Sequence, residues 1–278
     1  MAIPAAVPST YDPTQITYAL NTEGILACRG AFTRPFVDRV REDLEIAFAD
    51  AIDRPGGAVP RGPHRYYVEI HPQALRGFVD LVTHPWVVAV CETILGPDYQ
   101  IVELGFDVPF PGALDQPWHR DFPSPPDTYE GRRLTSLAFN LTCVDTIPEM
   151  GPFEIAPGTQ WEPGTDWPHG MFPPHSEWSR YELLAQPKLP QVGDISARSA
   201  LTIHRGTANR STQSRPVLVL GVDAPGAGHD LLHDPQVTPA YHAALPEAVR
   251  RHLVCRVVDQ PEPIVQKHQI EGLLVGMG

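Results

Sequence analysis

The feature that most constrains the fold is a change of pattern near residue 97. Before it, residues 34–53 carry apolar side chains at helical spacing, with Thr33 placed to cap the helix. A second helical region spans residues 72–95, and Pro85 breaks and restarts it. Leu95-Gly96-Pro97 then ends the helical pattern.

After residue 99 the chain reads as short strands. Strand-like runs cover residues 100–110, 134–144, 153–156, 199–204 and 216–222. The 32 prolines and 22 glycines break the chain into short pieces joined by long loops. This pattern predicts a mainly β protein with helices (α+β), in which an N-terminal helical layer packs on an antiparallel sandwich or barrel.

No linker separates two cores, so residues 1–278 are predicted to form a single domain. Its sheet core spans about residues 99–225 and its helical layer about residues 33–97. The first 15 residues look like a loose arm. Residues 160–185 hold three tryptophans and several prolines and look like an insertion or lid. The tail predicts one short helix at residues 246–254.

Composition excludes several classes of function. The net charge of −12 argues against a nucleic-acid surface, which needs a basic stripe. The chain has no run of 18 apolar residues, so no membrane span is expected. The start lacks a secretory pattern and the four cysteines are scattered, so we expect free thiols and a cytoplasmic protein. The sequence leaves open whether the chain forms a homodimer.

The first candidate for chemistry is Trp118-His119-Arg120-Asp121-Phe122. On an extended strand, His119 and Asp121 point to one face, where a nitrogen and an oxygen ligand can reach one metal ion. Chance alone supplies about one His-x-Asp pair in a chain of this composition. A surface histidine and aspartate near a turn is therefore the competing interpretation until a third ligand is found.

His204 is the predicted third ligand, because it ends the strand-like run at residues 199–204. Two histidines and a carboxylate leave positions open on a metal, an arrangement typical of non-haem Fe(II) oxygenases. Such iron takes 2-oxoglutarate and dioxygen. Arg215 begins the next strand, and its guanidinium suits the distal carboxylate of 2-oxoglutarate. The plainer alternatives are that Arg215 is a surface arginine and that His204 is a histidine that merely ends a strand.

Three motifs in order resemble the phytanoyl-CoA dioxygenase superfamily of Fe(II)/2-oxoglutarate-dependent oxygenases. They lie at residues 116–122, 149–159 and 204–215, within a resemblance covering about residues 18–225. Two turn positions depart from the family pattern, since Thr159-Gln160 replaces Ser-His and Met150 replaces Asn. The resemblance implies a double-stranded β-helix (a cupin-like jelly roll) holding iron at His119, Asp121 and His204.

The resemblance also implies cosubstrate contacts on the strand that follows the His-x-Asp motif. Ser136 and Asn140 share one face there with Ala138 and Thr142, and they either bind 2-oxoglutarate or are ordinary buried polar groups. For the substrate we expect a small organic molecule, such as a secondary metabolite. A coenzyme A thioester is a less favoured substrate, because the sequence shows no basic cluster that would bind its phosphates. The candidate substrate contacts are Gln116, Trp118, Tyr66 and His169.

Asp121 favours hydroxylation over halogenation, because related halogenases lack this carboxylate. A cupin-like metal-dependent hydrolase or isomerase, and a non-catalytic member of the fold, are the alternatives. His229 and His233 are four residues apart, a spacing that can chelate metal on a helix. The glycines and prolines around them argue against a helix, so they are not predicted to bind metal.

Overall fold

The computed structural model describes residues 11–123, 126–266 and 271–274. Short 3₁₀ turns connect many of its elements. The α-helices are α1 (Pro13–Thr22), α2 (Arg34–Ala51), α3 (Phe78–Val82), α4 (Pro85–Leu95), α5 (Pro126–Glu130), α6 (Trp178–Leu184), α7 (Pro239–Ala244) and α8 (Glu247–Arg250). The strands are β1 (Ile25–Cys28), β2 (Ala58–Pro60), β3 (Arg65–Glu69), β4 (Gln100–Pro109), β5 (Ser136–Thr142), β6 (Phe153–Ile155), β7 (Gln186–Pro187), β8 (Ile195–Ser199), β9 (His204–Gly206), β10 (Val217–Asp223), β11 (Gln236–Val237) and β12 (Arg256–Val257).

A seven-stranded antiparallel sheet forms the main layer, in the order β1-β8-β5-β10-β4-β3-β2. A smaller sheet has the order β7-β6-β9, and β11 pairs with β12 in parallel. The predicted mainly β architecture with helices is confirmed. The predicted break at Pro85 is also present, between α3 and α4.

The two faces of the large sheet have different roles. On β5, Phe139 and Leu141 point to the helical side, where they join a core that includes Leu44 of α2 and Val90 of α4. The alternate residues of β5 line a cavity on the opposite side. Because side chains alternate along a strand, one sequence both packs the helical layer and builds the cavity wall.

Several boundaries differ from the sequence prediction. The predicted strand at residues 199–204 is wrong, because residues 200–203 form a turn between β8 and β9. His204 therefore begins a strand in the smaller sheet instead of ending one. Helix α1 starts inside the predicted loose arm, whose first ten residues lie outside the described residues. Thr33 precedes α2, but its side chain makes no capping hydrogen bond.

The predicted state of the cysteines agrees with the structure. All four are free, and two of them, Cys91 and Cys143, are buried. Within the described ranges, no helix combines the length and apolar character needed to cross a membrane.

Candidate metal centre and its cavity

The two candidate histidine ligands are paired directly through their backbones. His119 and His204 form an isolated antiparallel bridge, in which each N–H donates to the other carbonyl at 2.9 Å. His119 is thus not part of a regular strand, contrary to the extended strand predicted around it. The bridge brings together residues from distant parts of the chain. One ligand atom each of His119, Asp121 and His204 lies within 4.8 Å of the others.

Both imidazoles are held with the same ring nitrogen free. Nδ1 of His119 is 2.8 Å from the carbonyl of Pro117, and Nδ1 of His204 is 2.8 Å from the carbonyl of Thr202. A carbonyl only accepts, so each Nδ1 donates and each Nε2 keeps its lone pair. Nε2 of His204 lies 3.3 Å from Oδ1 of Asp121. Two free imidazole nitrogens beside a carboxylate are a donor set that fits Fe(II).

The protonation states also suit metal binding. Burial lowers the pKa of His119 well below its usual value, and nearby His204 lowers it further. Burial also lowers the pKa of His204, assisted by Arg198. For Asp121, burial acts to raise the pKa, but Arg198 and His204 outweigh it and the pKa is lowered. Neutral imidazoles and an ionised carboxylate are the forms that bind a metal cation.

Arg198 on β8 is a contact of the site that sequence reasoning missed. Its Nη1 donates to Oδ2 of Asp121 at 2.6 Å, and its Nη2 lies 3.4 Å from Oδ1. The side chain is only 6% exposed, so this ion pair is largely shielded from water. The ion pair orients the carboxylate. The predicted strand began after this residue, so no signal pointed to it.

Arg215 lies at a second point of the same cavity and is buried. Its Nε donates to the carbonyl of Met150 at 3.4 Å, and its terminal nitrogens have no hydrogen-bond partner among the described residues. Burial lowers the pKa of Arg215 to about 10, nearby Arg65 adds to this, and Asp107 opposes it. Arg65 in turn donates to Asp107 at 2.9 Å. Two buried guanidiniums against one carboxylate leave a positive charge that suits an anion.

Arg215 does not begin a strand, as the sequence predicted, because it lies two residues before β10. His204 belongs to the smaller sheet, whereas β10 belongs to the large sheet. Both residues nevertheless line the cavity.

The cavity has a volume of about 890 Å³ and is lined by residues of both sheets. The metal triad and Arg215 line it, as do Ser136, Asn140 and the other two even-numbered residues of β5. The even-numbered residues of β5 therefore share one face of the strand, as the sequence predicted. The side chains of Ser136 and Asn140 have no hydrogen-bond partner among the described residues, so both are available to a ligand.

Of the four predicted substrate contacts, Gln116 lines the cavity and the other three do not. Gln116 lines the cavity, but its side chain bridges the chain by donating to the Arg61 carbonyl at 3.2 Å and accepting from the Gly206 N–H at 3.0 Å. Trp118 is fully buried outside the cavity beside Tyr181. Contact of these residues with a substrate stays a prediction.

Tyr66 and His169 do not line the cavity either. Tyr66 packs edge-on against Phe48 and Phe110 on the helical side, because its neighbour on the strand, Tyr67, takes the inward position. His169 is exposed, with a left-handed backbone at φ 54°.

The segment 160–185 packs behind the metal-binding stretch. None of its residues lines the cavity. Trp167 lies under the guanidinium of Arg120 at 4.3 Å, and that guanidinium donates to the carbonyl of Glu162 at 2.7 Å. The segment thus supports residues next to the ligands, and its predicted role as a lid stays a prediction.

Sequence reasoning also missed a group of acidic and histidine residues on the cavity wall. These are Glu69, Glu103, Asp223, His229 and His233. The alternation of Arg65, Tyr67 and Glu69 on one strand was the available signal. His229 and His233 were set aside because no helix was expected, and the structure places His229 in a short 3₁₀ turn.

The fold and the site together define a jelly-roll enzyme of the non-haem metal type. The model of the phytanoyl-CoA dioxygenase family matches residues 20–217. The chain therefore belongs to the phytanoyl-CoA dioxygenase family. The predictions of this family, and of iron and 2-oxoglutarate as its cofactors, are confirmed.

Solved structures with the same fold include three enzymes of low sequence identity. The 2-oxoglutarate-dependent carbocyclase SnoK from nogalamycin biosynthesis is 18% identical, with a TM-score of 0.59 over 77% of this chain and 87% of its own. EctD from S. alaskensis, solved with 2-oxoglutarate and 5-hydroxyectoine, is 15% identical, with a TM-score of 0.62 over 80% and 79%. The epimerase SnoN from nogalamycin biosynthesis is 18% identical, with a TM-score of 0.55 over 76% and 83%.

A sequence comparison with curated proteins gave no significant match. The solved structures therefore support the fold, and the activity is argued from the site.

Proposed function

We propose that this protein is an Fe(II)- and 2-oxoglutarate-dependent oxygenase that oxidises an unactivated C–H bond of a small organic molecule, releasing succinate and CO₂. The observation that carries the proposal is the shared cavity. Two neutral imidazoles and Asp121 meet at one place in it, and Arg215 presents unpaired guanidinium nitrogens at another.

In this proposal each residue has a defined task. His119, Asp121 and His204 hold iron, which supplies the activation of dioxygen when bound. Arg215 binds the distal carboxylate of 2-oxoglutarate through parallel hydrogen bonds. Ser136 and Asn140 offer further hydrogen bonds to the cosubstrate from β5. Arg198 keeps the carboxylate of Asp121 oriented and ionised.

Hydroxylation is the outcome that we propose, because Asp121 supplies a carboxylate ligand where halogenases have none. The solved neighbours include a carbocyclase and an epimerase, so the same fold also supports other oxidative outcomes. Incorporation of ¹⁸O from dioxygen into the product separates these cases. An oxygen atom in the product supports hydroxylation, whereas a product without it indicates cyclisation, epimerisation or desaturation.

The first experiment measures succinate formation with Fe(II), 2-oxoglutarate and a panel of small organic substrates. We expect His119→Ala and Asp121→Ala to abolish substrate-coupled succinate formation, because each removes a metal ligand. Arg210→Ala is a matched control, since Arg210 is exposed. Full activity in either ligand variant would refute the site.

The main alternative is a metal-dependent hydrolase or isomerase that uses the same three ligands. Such an enzyme has no use for the unpaired guanidinium of Arg215. Substrate turnover that persists without 2-oxoglutarate and dioxygen would favour it over our proposal. Iron binding without any 2-oxoglutarate binding would instead favour a non-catalytic protein.

A further inference from the structure

The cavity has an acidic side that the proposed chemistry does not use. We call Glu69, Glu103 and Asp223 the acidic wall. They lie on β3, β4 and β10, and all three line the cavity. Their side chains are 6%, 15% and 2% exposed, respectively. Carboxylates so well buried need compensating cations.

The cations present do not fully balance the acidic wall. Nδ1 of His233 lies 3.2 Å from Glu69, and its Nε2 lies 3.9 Å from Glu103. Burial acts to lower the pKa of His233, but Glu103 and Glu69 outweigh it and raise the pKa to about 9, so the ring is an imidazolium. Arg61 lies over the ring of Tyr67 at 5.1 Å. The three carboxyl groups thus outnumber the two cations named here, and burial raises the pKa of Glu69 although His233 opposes this.

Asp223 carries a buried oxygen without a hydrogen bond. Its Oδ1 is 3.2 Å from Nδ1 of His229. The same nitrogen lies 3.1 Å from Oδ2, but Oδ2 makes no aligned hydrogen bond. An unsatisfied buried acceptor costs free energy, so this oxygen points to a missing donor.

Two glycines keep space around the acidic wall. A methyl group on Gly221 would come within 2.6 Å of Oε2 of Glu103, and one on Gly105 would come within 2.6 Å of the hydroxyl oxygen of Tyr67. Neither glycine has a left-handed backbone, so conformation does not explain them. Their role is to leave room for the side chains of the acidic wall.

One row of paired residues crosses the large sheet from the metal centre to the acidic wall. Arg198, Ala138, Gly221 and Glu103 are register partners on four adjacent strands. Three inter-strand spacings place the Cα atoms of Arg198 and Glu103 roughly 14 Å apart. The side chain of Glu103 lies over Gly221, and Ala138 is small. A ligand over Ala138 can therefore contact Glu103 on one side and the metal centre on the other.

We propose that the acidic wall binds a protonated amine of the substrate. An ammonium group supplies the missing positive charge and an N–H donor for Oδ2 of Asp223. The substrate is then an organic amine that extends from the acidic wall to the iron. Oxidation of this amine at the iron rests on the proposed oxygenase function, whereas binding of the amine to the acidic wall does not.

A second metal ion fits this place less well. Ligand atoms of Glu69, Glu103 and His233 do lie within 4.8 Å of one another. However, a metal ion there would have to displace the proton of His233, and Glu103 already accepts a short hydrogen bond from Tyr67. A hydrogen-bond donor suits these groups better than a Lewis acid.

The test is calorimetric titration of the purified protein with cyclohexylmethylamine and with its neutral analogue cyclohexylmethanol, without iron or 2-oxoglutarate. We expect the amine to bind at least tenfold more tightly than the alcohol. Asp223→Asn and Glu103→Gln, which keep the side-chain shapes, should weaken amine binding about tenfold or more. Glu45→Gln, an exposed change of equal charge on α2, should leave amine binding unchanged.

Three results would overturn the inference. The first is equal binding of amine and alcohol to the unmodified protein, which needs no variant to fold. The second is unchanged amine affinity in both folded variants. The third is a Mn²⁺ ion that remains bound to the Asp121→Ala protein and is lost when Glu103→Gln is added. Because titration needs no turnover, failure here with intact succinate formation refutes the amine site alone.

Discussion

Replacing Arg215 by leucine should stabilise the protein without ligands while weakening its use of 2-oxoglutarate. A pKa lowered from 12.5 to about 10 means that the folded protein holds this cation at a cost. At about 1.4 kcal/mol for each tenfold change in the acid constant, the cost is about 3 kcal/mol. Since no hydrogen bond holds the terminal nitrogens, leucine removes this cost and loses little in return.

The two effects have opposite signs, which makes the prediction sharp. For a chain of this size about 3 kcal/mol corresponds to a rise in Tm of up to about 6 °C. The KM for 2-oxoglutarate should rise by about tenfold to a hundredfold, because a charge-assisted hydrogen bond contributes about 1.5–3 kcal/mol. Arg215→Lys should show a smaller rise in KM, because lysine keeps the charge and loses the planar fork.

The assay combines thermal unfolding with succinate formation at varied 2-oxoglutarate concentrations. Added 2-oxoglutarate should raise the Tm of the unmodified protein and have little effect on Arg215→Leu. Arg210→Leu, exposed and five residues away, is the matched control. A lower Tm together with an unchanged KM would show that Arg215 is a structural cation and that another group holds the cosubstrate.

Three further predictions test other parts of the structure. Gly206→Ala should lower the free energy of unfolding by about 1–3 kcal/mol, because the added methyl group would come too close to Nη1 of Arg65. Denaturant titration measures this change in free energy. His169→Gly should raise the free energy of unfolding by about 1 kcal/mol, because glycine accepts a φ of 54°. Turnover should be unchanged, because the His169 side chain lies outside the cavity. Lower turnover would support His169 as a substrate contact. His233→Gln should remove a pH dependence of the free energy of unfolding. Because the pKa of His233 is raised to about 9, its protonation contributes about 3 kcal/mol to that free energy. This contribution is complete below pH 6.5 and is lost as the pH rises through 9. Unfolding at pH 6 and pH 9.5 compares the two proteins, and equal slopes would contradict the ion pairs with Glu69 and Glu103.

The class of fold and the grouping of the three candidate ligands could be predicted from the sequence, because both depend largely on local patterns. His119 and Asp121 are two residues apart, and the strand alternation of β5 placed Ser136 and Asn140 on one face. His204 was grouped with the other two residues although its predicted strand was wrong, because it lies at the end of an extended segment in both cases: it begins β9 instead of ending the preceding run. In each of these cases, neighbours in sequence decide the outcome.

What the sequence could not provide depends on contacts between distant segments. Arg198 lies at one end of a strand whose limits were misplaced, and its partner Asp121 is 77 residues away. Trp118 was predicted to contact the substrate, and the segment 160–185 to form an insertion or lid, because aromatic residues suit pockets. They instead pack together behind the metal centre, since a large apolar surface stabilises whichever core is nearest. The acidic wall required the register of three strands, which no local pattern predicts.

The backbone pairing of His119 with His204 has a consequence for how the protein is loaded with metal. Backbone hydrogen bonds and side chain to carbonyl bonds already hold both imidazoles in place, so the polypeptide does not depend on the ion to close this part of the chain. Chelators should therefore yield a folded apoprotein that regains its ion by simple re-addition. Such an enzyme can also be filled with Mn²⁺ or Co²⁺ in place of iron, giving inert complexes in which bound substrates can be trapped and identified.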